Sequence, residues 1–234
     1  MKVKYDLHIH SKLSKCADVL STPNNILNMC MLKGLNLVAV TDHNSLKQIP
    51  TLAKIAPSYD FLFLYGVEVS TFQHFHVLAY FETLEQALAF DAFLEAGLDK
   101  NIRVMSGFRQ TLYNEYDDEI GDITYDLSQD SIYAYDVLAK KIRFLSGIIV
   151  LAHIDRKCSG IMDCVEKFAD FDFDAIEICD KKNANEIYKR HPYLHKYRVF
   201  YNSDSHDIIM INEKEEIELE ELSFRALKKW LKDE

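Results

Sequence analysis

Metal-binding side chains recur in this sequence in closely spaced pairs. His8 and His10 flank a single residue near the N-terminus, and Asp204 and His206 repeat that spacing near the C-terminus. In an extended chain, residues two apart face the same side, so both imidazoles of His8 and His10 can bind one ion. Imidazole and carboxylate ligands together suit zinc, manganese or iron. The two pairs therefore indicate divalent metal chemistry.

Other metal-capable residues lie at the ends of apolar segments. These are His43, Glu68, His76 and His153. One such residue, or one HxH pair, is weak evidence, because a pattern this short also arises by chance. The strength of the prediction depends on whether the elements that carry these residues bring them together.

Short apolar segments rich in β-branched and aromatic residues predict seven strands. They cover residues 3–9, 35–41, 61–69, 75–81, 147–152, 174–178 and 198–202. Segments with helical spacing of apolar residues lie at 24–33, 84–94, 132–145 and 223–232. Near-continuous apolar strands are typical of a parallel sheet covered by helices, and the alternation of strands and helices indicates βαβ units. The predicted class is α/β.

One connection departs from this alternation. Only a few residues separate the strand that ends at Val69 from the strand that begins near Phe75. A parallel crossover needs a dozen or more residues, so these two strands should form an antiparallel hairpin. The hairpin would bring His76 close to Glu68.

The metal-capable residues should meet at one rim. Six of the seven predicted strands end or begin at one of them, and Glu177 lies late in the remaining strand, at 174–178. The carboxyl ends of the strands are where the sites of α/β barrels lie. A cluster this rich is too large for one ion, so the sequence predicts a multinuclear metal site.

At these residues the chain resembles the PHP (polymerase and histidinol phosphatase) superfamily. The matching stretches are DLHIHS at 6–11, TDHN at 41–44, GVEV at 66–69, FHV at 75–77, AHID at 152–155 and NSDSH at 202–206. The resemblance runs over almost the whole chain. It implies a distorted seven-stranded β/α barrel, similar to a TIM barrel, with two or three metal ions at the C-terminal rim, acting on phosphate esters.

The resemblance also implies which residues hold each ion. One ion would be held by His8, His10, Glu68 and Asp204, and a second by Glu68, His76 and His153. A third would be held by His43, His206 and a ligand from the loop that follows His10. Many relatives carry an acid or a histidine in that loop, whereas this chain has Cys16 and Asp18 there. We predict Asp18, because a carboxylate suits a hard, water-rich site; Cys16 is the alternative, since thiolate binds zinc and iron.

Three further residues lie close to the predicted ligands. Arg156 follows His153 and is a candidate phosphate contact, although a solvated loop cation is the alternative. Glu177 is a candidate hydrogen-bond partner of a ligand. Asp42 alternates to the face opposite His43, which favours a packing or supporting role.

Composition limits the classes of partner and location. The 234 residues suit a single domain over 1–234, with an insertion at about 97–130 that is either a lid or a surface excursion. The net charge of −10 disfavours a basic surface for long nucleic acid. Five cysteines without a CxxC pair disfavour a disulfide framework, and the sequence shows neither a signal peptide nor a membrane span. These features predict a cytoplasmic protein.

The combined prediction is a metal-dependent phosphoesterase. Its substrate would be a small phosphomonoester of the nucleotide or histidinol phosphate type, attacked by a hydroxide that bridges two ions about 3.5–4 Å apart. A phosphodiesterase or exonuclease that trims nucleic-acid ends is the second hypothesis. The third is a non-catalytic metal-binding module, which would be expected to lack some of the ligands.

Overall fold

The computed structural model describes residues 1–232. Its strands are β1 (Lys2–Ile9), β2 (Leu37–Val40), β3 (Leu62–Ser70), β4 (His76–Phe81), β5 (Thr111–Tyr113), β6 (Glu119–Asp122), β7 (Ile148–Leu151), β8 (Ala175–Glu177), β9 (Arg198–Phe200) and β10 (Glu216–Glu218). Its α-helices are α1 (Pro23–Leu32), α2 (Ile49–Ile55), α3 (Leu84–Glu95), α4 (Tyr135–Phe144), α5 (Ile161–Cys164), α6 (Ala184–Arg190) and α7 (Phe224–Lys232). All seven predicted strands and all four predicted helices are present.

Eight of the strands form one curved sheet in the order β10-β1-β2-β3-β4-β7-β8-β9. The strands β1, β2 and β3 are parallel to one another, as are β7, β8 and β9. Between these two groups, β4 is antiparallel to both of its neighbours. The predicted hairpin is confirmed, since Ser70 pairs with His76 across the β3–β4 turn.

The prediction of a distorted seven-stranded barrel, similar to a TIM barrel, is confirmed only in part. The sheet has eight strands, because β10 pairs antiparallel with the start of β1, Lys2 opposite Glu218. In a closed barrel, the free edge of β1 would pair with β9, the last strand at the other end of the sheet. Here β10 pairs with that edge instead. At the carboxyl end of β1, a single parallel bridge joins Ile9 to Ser205. The α/β class and the barrel-like curvature are confirmed, but the described sheet is open.

The two faces of the sheet carry separate apolar clusters. The outer face packs against α1 to α4 and includes Val38, Val67 and Ile149. The inner face carries Leu7 and Leu64, and α7 packs against it. Burial of apolar side chains on both faces explains why the central strands are continuously hydrophobic. Successive residues of a strand face opposite sides of the sheet. A residue an even number of positions from an inner-face residue therefore also faces the interior, and we call this the parity of the residue.

Helix boundaries follow local signals. Pro23 begins α1, and Gly34 follows its end with φ of +68°, a left-handed conformation that glycine adopts without strain. Thr83 caps α3, and Gln86 completes a reciprocal capping box. These contacts satisfy backbone groups that a helix end leaves without partners.

The insertion at 97–130 contains the β5–β6 hairpin and packs on the loop that follows β1. Leu13 of that loop is buried among Leu98, Tyr125 and Leu127. Lys15 forms an ion pair with Asp126, Nζ to Oδ2 at 2.5 Å. A role as a lid stays a prediction. Among residues 1–232, no helix is long and apolar enough to cross a membrane.

Candidate metal centre

Glu68, at the carboxyl end of β3, lies among five histidines, one of which is His8, with its Nε2 3.5 Å from Glu68 Oε1. Its Oε1 is 2.8 Å from His76 Nδ1 and 2.8 Å from His153 Nε2. Its Oε2 is 2.9 Å from His43 Nδ1 and 3.3 Å from His10 Nε2. A carboxylate whose two oxygens face different imidazoles is suited to bridge two ions.

Asp204 gathers a second set of imidazoles. Its Oδ1 lies 3.1 Å from His8 Nε2, 3.2 Å from His10 Nε2 and 3.7 Å from His206 Nδ1. The rings of His10 and His206 are stacked at 4.1 Å. Eight of the nine predicted ligands are thus brought together; Asp18 is the exception.

Three groups of donor atoms lie close enough to hold an ion, with all atoms of a group within 4.8 Å of one another. They are His8, His10, Glu68 and Asp204; His43, Glu68 and His76; and His10, His43 and His206. The first group is the set expected for the first ion. The other two contain the expected pairs Glu68 with His76 and His43 with His206.

Strand parity delivers part of this cluster. His43, Glu68 and His76 lie an even number of positions from inner-face residues of β2, β3 and β4, such as Ala39, Leu64 and Leu78. Their side chains therefore point into the interior without any distortion of the strand.

Two strands reach the same interior through irregularities. The register of β1 shifts between Asp6 and Ile9, so Leu7 joins the inner cluster while Ile9 joins the outer one. The shift turns His8 and His10 inward, as bulges next to active sites do. His153 follows β7, and it lies two positions after Leu151, whose side chain is on the outer face. Regular alternation would therefore turn His153 outward, but its φ of +26° turns the side chain inward. Such strained backbone in a non-glycine residue is typical of functional sites.

A supporting set of hydrogen-bond partners orients the predicted ligands. Glu177 Oε2 lies 3.0 Å from His8 Nδ1 and accepts from the Asn202 amide at 2.6 Å. Glu177 Oε1 also accepts from the backbone N–H of His153 at 3.0 Å. A carboxylate on the second ring nitrogen fixes the tautomer and orientation of a ligating histidine. This is the supporting role predicted for Glu177.

Asp42 supports His10 through a residue that sequence reasoning missed. Asp42 Oδ1 accepts from the Ser14 hydroxyl at 2.7 Å, and Ser14 Oγ lies 2.9 Å from His10 Nδ1. Asp42 also accepts from the backbone N–H of Ser11. The sequence signal for this contact is the hydroxyl of Ser14, four residues after His10, the second histidine of the HxH pair.

Burial and mutual charge set the protonation of these groups. Burial alone would lower the pKa of His10, but the carboxylates of Asp204 and Glu68 raise it to about 9. Burial likewise opposes ionisation of Glu68 and Asp204, yet the surrounding imidazoles hold both pKa values well below the usual range. Burial and the neighbouring His10 lower the pKa of His206 to about 4. The acids are therefore ionised and ready to bind a cation.

Buried atoms without partners test whether metal ions fit here. Among residues 1–232, these include His8 Nε2, His10 Nε2, His43 Nδ1, Glu68 Oε2, His153 Nδ1 and Asp204 Oδ1. Unpartnered buried polar atoms are costly, so they require an explanation. Ligands bound tetrahedrally at about 2.0–2.2 Å from one ion would lie about 3.3–3.6 Å apart, close to the separations seen here. The donor set fits divalent ions.

The remaining predicted residues lie at the mouth of the cluster. Asp18 is exposed, and its Oδ1 accepts from the Leu20 N–H at 2.8 Å. Cys16, the alternative, has its Sγ 3.4 Å from His43 Nε2. Arg156 forms an ion pair with Asp204 through Nη1 and Oδ2. Asp18 and Cys16 line an open pocket of about 550 Å³ together with His206.

Solved structures share this fold over nearly the whole chain. A lesion-specific endonuclease of Pyrococcus furiosus has a TM-score of 0.71 and 21% identity, covering 99% of this chain and 56% of the endonuclease chain. Endonuclease Q in complex with a 27-mer duplex, with an abasic lesion at the active site, has a TM-score of 0.72, 21% identity, and coverages of 99% and 57%. The present chain thus spans just over half the length of these endonuclease chains.

Two shorter proteins match over most of their own length. An amidohydrolase of Chromobacterium violaceum has a TM-score of 0.62 and 18% identity, covering 97% of this chain and 95% of that one. A protein of Bifidobacterium adolescentis described as a metal-dependent phosphoesterase has a TM-score of 0.56 and 15% identity, with coverages of 96% and 94%.

Sequence comparison is less informative. An uncharacterized protein of Methanocaldococcus jannaschii is 34% identical over 77 residues, which covers 30% of this chain and 45% of that protein. No protein-family profile matches the sequence. The structural neighbours, at 15–21% identity, thus show that this chain shares their fold.

Proposed function

We propose that this protein is a metal-dependent phosphoester hydrolase. The observation that carries the proposal is the convergence of six imidazoles and two carboxylates at one rim, with buried donor atoms that have no partner among the described residues. The fold it shares with a lesion-specific endonuclease and with a protein described as a metal-dependent phosphoesterase supports the same reaction class.

The proposed ligand sets follow the contacts. His8, His10, Glu68 and Asp204 would hold one ion, and Glu68, His76 and His153 a second. His43 and His206 would hold a third, with Asp18 or Cys16 from the loop after β1. When bound, such ions activate water at neutral pH and neutralise negative charge that develops on phosphoryl oxygens.

The other residues act on the ligands and on the substrate. Glu177 orients His8, and the Asp42–Ser14 pair orients His10, so the imidazoles are held in place before an ion binds. Arg156 would bind a phosphate oxygen through its guanidinium, because its side chain is 41% exposed beside Asp204. Arg156 and Lys157 also line a neighbouring pocket of about 240 Å³.

A small phosphomonoester is the proposed substrate. The open pocket of about 550 Å³ beside Asp204 and His206 can receive a group larger than phosphate alone. Of the two lysines that line it, Lys15 is already paired with Asp126, and Lys12 donates to the Ala17 carbonyl. With a chain charge of −10, this leaves little attraction for a long polyanion.

Cleavage of a nucleic-acid phosphodiester is the second candidate. It is favoured by the shared fold with Endonuclease Q, whose structure in complex with an abasic duplex places the lesion at the active site. The present chain spans only 57% of that protein, so the endonuclease contains further chain that this one does not match.

A substrate panel with metal addition tests both candidates. The protein, treated with chelator and reloaded with Mn²⁺, is assayed on nucleoside monophosphates, on a chromogenic phosphomonoester, on 5′-phosphorylated oligonucleotides and on a duplex with an abasic site. We expect metal-dependent release of phosphate from the monoesters. Cleavage of only the duplex would favour the second candidate, and no metal-dependent cleavage of any substrate would contradict the reaction class.

Two neighbouring histidines provide a matched control. His76 contacts Glu68, whereas His74 is exposed and pairs with Asp130. His76→Ala should abolish the metal-dependent activity and lower the bound metal, while His74→Ala should change neither by more than about twofold. Equal effects of the two changes would place the site elsewhere.

A further inference from the structure

We propose that Cys16 is a thiolate ligand to the ion held by His43 and His206, a role for which the sequence favoured Asp18. The inference rests on the metal centre of the proposed function and deepens it, because it names the ligand that completes the third site. It also departs from the acid or histidine that the resemblance leads one to expect.

The first observation is the direction of His43. Its Nδ1 faces Glu68 Oε2 at 2.9 Å, inside the cluster. Its other nitrogen, Nε2, points outward and lies 3.4 Å from Cys16 Sγ. Nδ1 has no hydrogen bond although Glu68 Oε2 is near it, so either nitrogen of this imidazole can hold an ion, and Nε2 is the nitrogen on the side of Cys16. Cys16 is therefore beside a nitrogen that is available for the third site.

The second observation is independent of the thiol. Donor atoms of His10, His43 and His206 lie within 4.8 Å of one another. The His10 side chain is fully buried, and its Nε2 has no hydrogen-bond partner among the described residues. His10 Nε2 also lies 3.2 Å from Asp204 Oδ1 and is assigned to the first ion, so the imidazoles of His43 and His206 are the ones left for a further cation at this end of the cluster. Cys16 is then an additional donor at the edge of that site.

The loop that carries Cys16 is fixed on both sides. Before it, the Ser14 hydroxyl donates to Asp42 and accepts from the backbone N–H of His43 at 3.2 Å. After it, the backbone N–H of Asp18 donates to the His206 carbonyl at 2.8 Å. The loop is thus tied to the segments that carry the two histidines of the proposed site, which places the thiol beside them.

Asp18 is a weaker candidate on the same geometry. Its carboxylate accepts from the N–H of Leu20, two residues later in its own turn. The three donor groups include neither Asp18 nor Cys16, so the distance to His43 decides between them. Asp18 would have to give up the contact within its own turn and change direction to reach His43, whereas Cys16 already lies beside it.

Binding through Cys16 involves a simple exchange. The S–H bond breaks, an S–metal bond forms, and the proton leaves to solvent. A soft thiolate favours zinc, iron or cobalt over manganese or magnesium at this position. The first two ion sites, built from imidazole and carboxylate, carry no such preference for soft metals.

Cobalt titration of the metal-free protein tests the proposal without an activity assay. Co²⁺ bound by thiolate gives a sulfur-to-metal charge-transfer band in the near ultraviolet. We expect this band in the wild type, in Asp18→Asn and in Cys158→Ser, which removes an exposed thiol at no predicted ligand position. Cys16→Ser should lose the band and bind the last equivalent of zinc at least 10-fold more weakly, while retaining its circular dichroism spectrum.

Four results would overturn the inference. If the wild type binds cobalt but shows no sulfur band, or if the band survives in Cys16→Ser, Cys16 is not a ligand, and the metal centre itself is unaffected. If the wild type binds no cobalt or zinc at all, both the inference and the proposed function fail. Loss of zinc in Asp18→Asn with retention in Cys16→Ser would assign the third ligand to Asp18.

Discussion

Arg156 and Asp204 form an ion pair in which the two oxygens of the carboxylate have separate partners. Oδ2 contacts the guanidinium, while Oδ1 faces His8 and His10 at 3.1 and 3.2 Å. Asp204 has a φ of +49°, a left-handed conformation that is uncommon outside glycine. The backbone and the arginine together hold Oδ1 toward the imidazoles, and the guanidinium is left beside the proposed site of phosphate.

Replacing Arg156 should therefore weaken catalysis more than metal binding. A hydrogen bond from a charged group to phosphate contributes about 1.5–3 kcal/mol, so Arg156→Ala should lower kcat/KM for a phosphomonoester about 10- to 100-fold. Arg156→Lys should recover part of the loss, because it keeps the charge but not the planar fork. The measurement is steady-state kinetics with bound metal determined in parallel.

Lys157→Ala is the matched control for Arg156. It removes the adjacent cation, which has no assigned contact to a proposed ligand, and should change kcat/KM less than about threefold. If Arg156→Ala instead removes bound metal in proportion to activity, Arg156 acts by positioning Asp204 and not on phosphate.

The convergence of the proposed ligands could be predicted from the sequence because strand ends meet at one rim. Alternation along the strand is sufficient for Glu68 and His76, which lie on regular strands, and for His43, which follows β2 and forms a bridge with Glu68. The side chains of His8 and His153 point inward for other reasons. His8 depends on the register shift in β1, and His153 depends on its positive φ after β7, and neither can be predicted from strand alternation. These irregularities are stable only because the surrounding contacts impose them.

The open edge of the sheet could not be predicted for a related reason. The segment Glu216–Glu218 is three residues long and buries only Ile217. Its strand character comes from pairing with Lys2, Val3 and Lys4, more than 200 positions away. Likewise, Ser14 becomes a partner of His10 only through a turn of the loop. Long-range pairing and loop geometry, not local propensity, decide both features.

Glu177→Gln should weaken metal binding while preserving the fold. The carboxylate holds His8 Nδ1 and the backbone N–H of His153, and loss of such a partner reduces metal affinity about 10- to 100-fold. Isothermal titration of the metal-free variant with Zn²⁺ measures the change.

Glu186→Gln, on the exposed face of α6, is the control and should bind Zn²⁺ as the wild type does. Equal affinities of the two variants would show that Glu177 does not support a ligand.

Leu13→Ala should destabilise the contact between the loop after β1 and the insertion. Leu13 is fully buried among Leu98, Tyr125 and Leu127, and truncation of a buried leucine costs about 2–5 kcal/mol. Urea denaturation of the metal-free protein should show this loss in the free energy of unfolding. Leu20→Ala, at a site 56% exposed in the same loop, should cost less than about 1 kcal/mol. A loss below that limit for Leu13→Ala would mean that the insertion does not depend on this contact.

Phe108 offers a test of what the open pocket binds. Its ring is 50% exposed in the insertion and lines the pocket with Asp204 and His206. An exposed ring beside a phosphate site can stack on a nucleobase, an interaction worth about 1–3 kcal/mol. Phe108→Ala should therefore raise KM for nucleoside monophosphates about 5- to 100-fold, with little change for glycerol phosphate, which has no ring to stack. Phe144→Ala, which removes an exposed ring at the end of α4, is the control and should affect neither substrate. Equal effects of Phe108→Ala on both substrates would mean that the ring packs within the insertion. In that case Phe108 does not stack on the nucleobase.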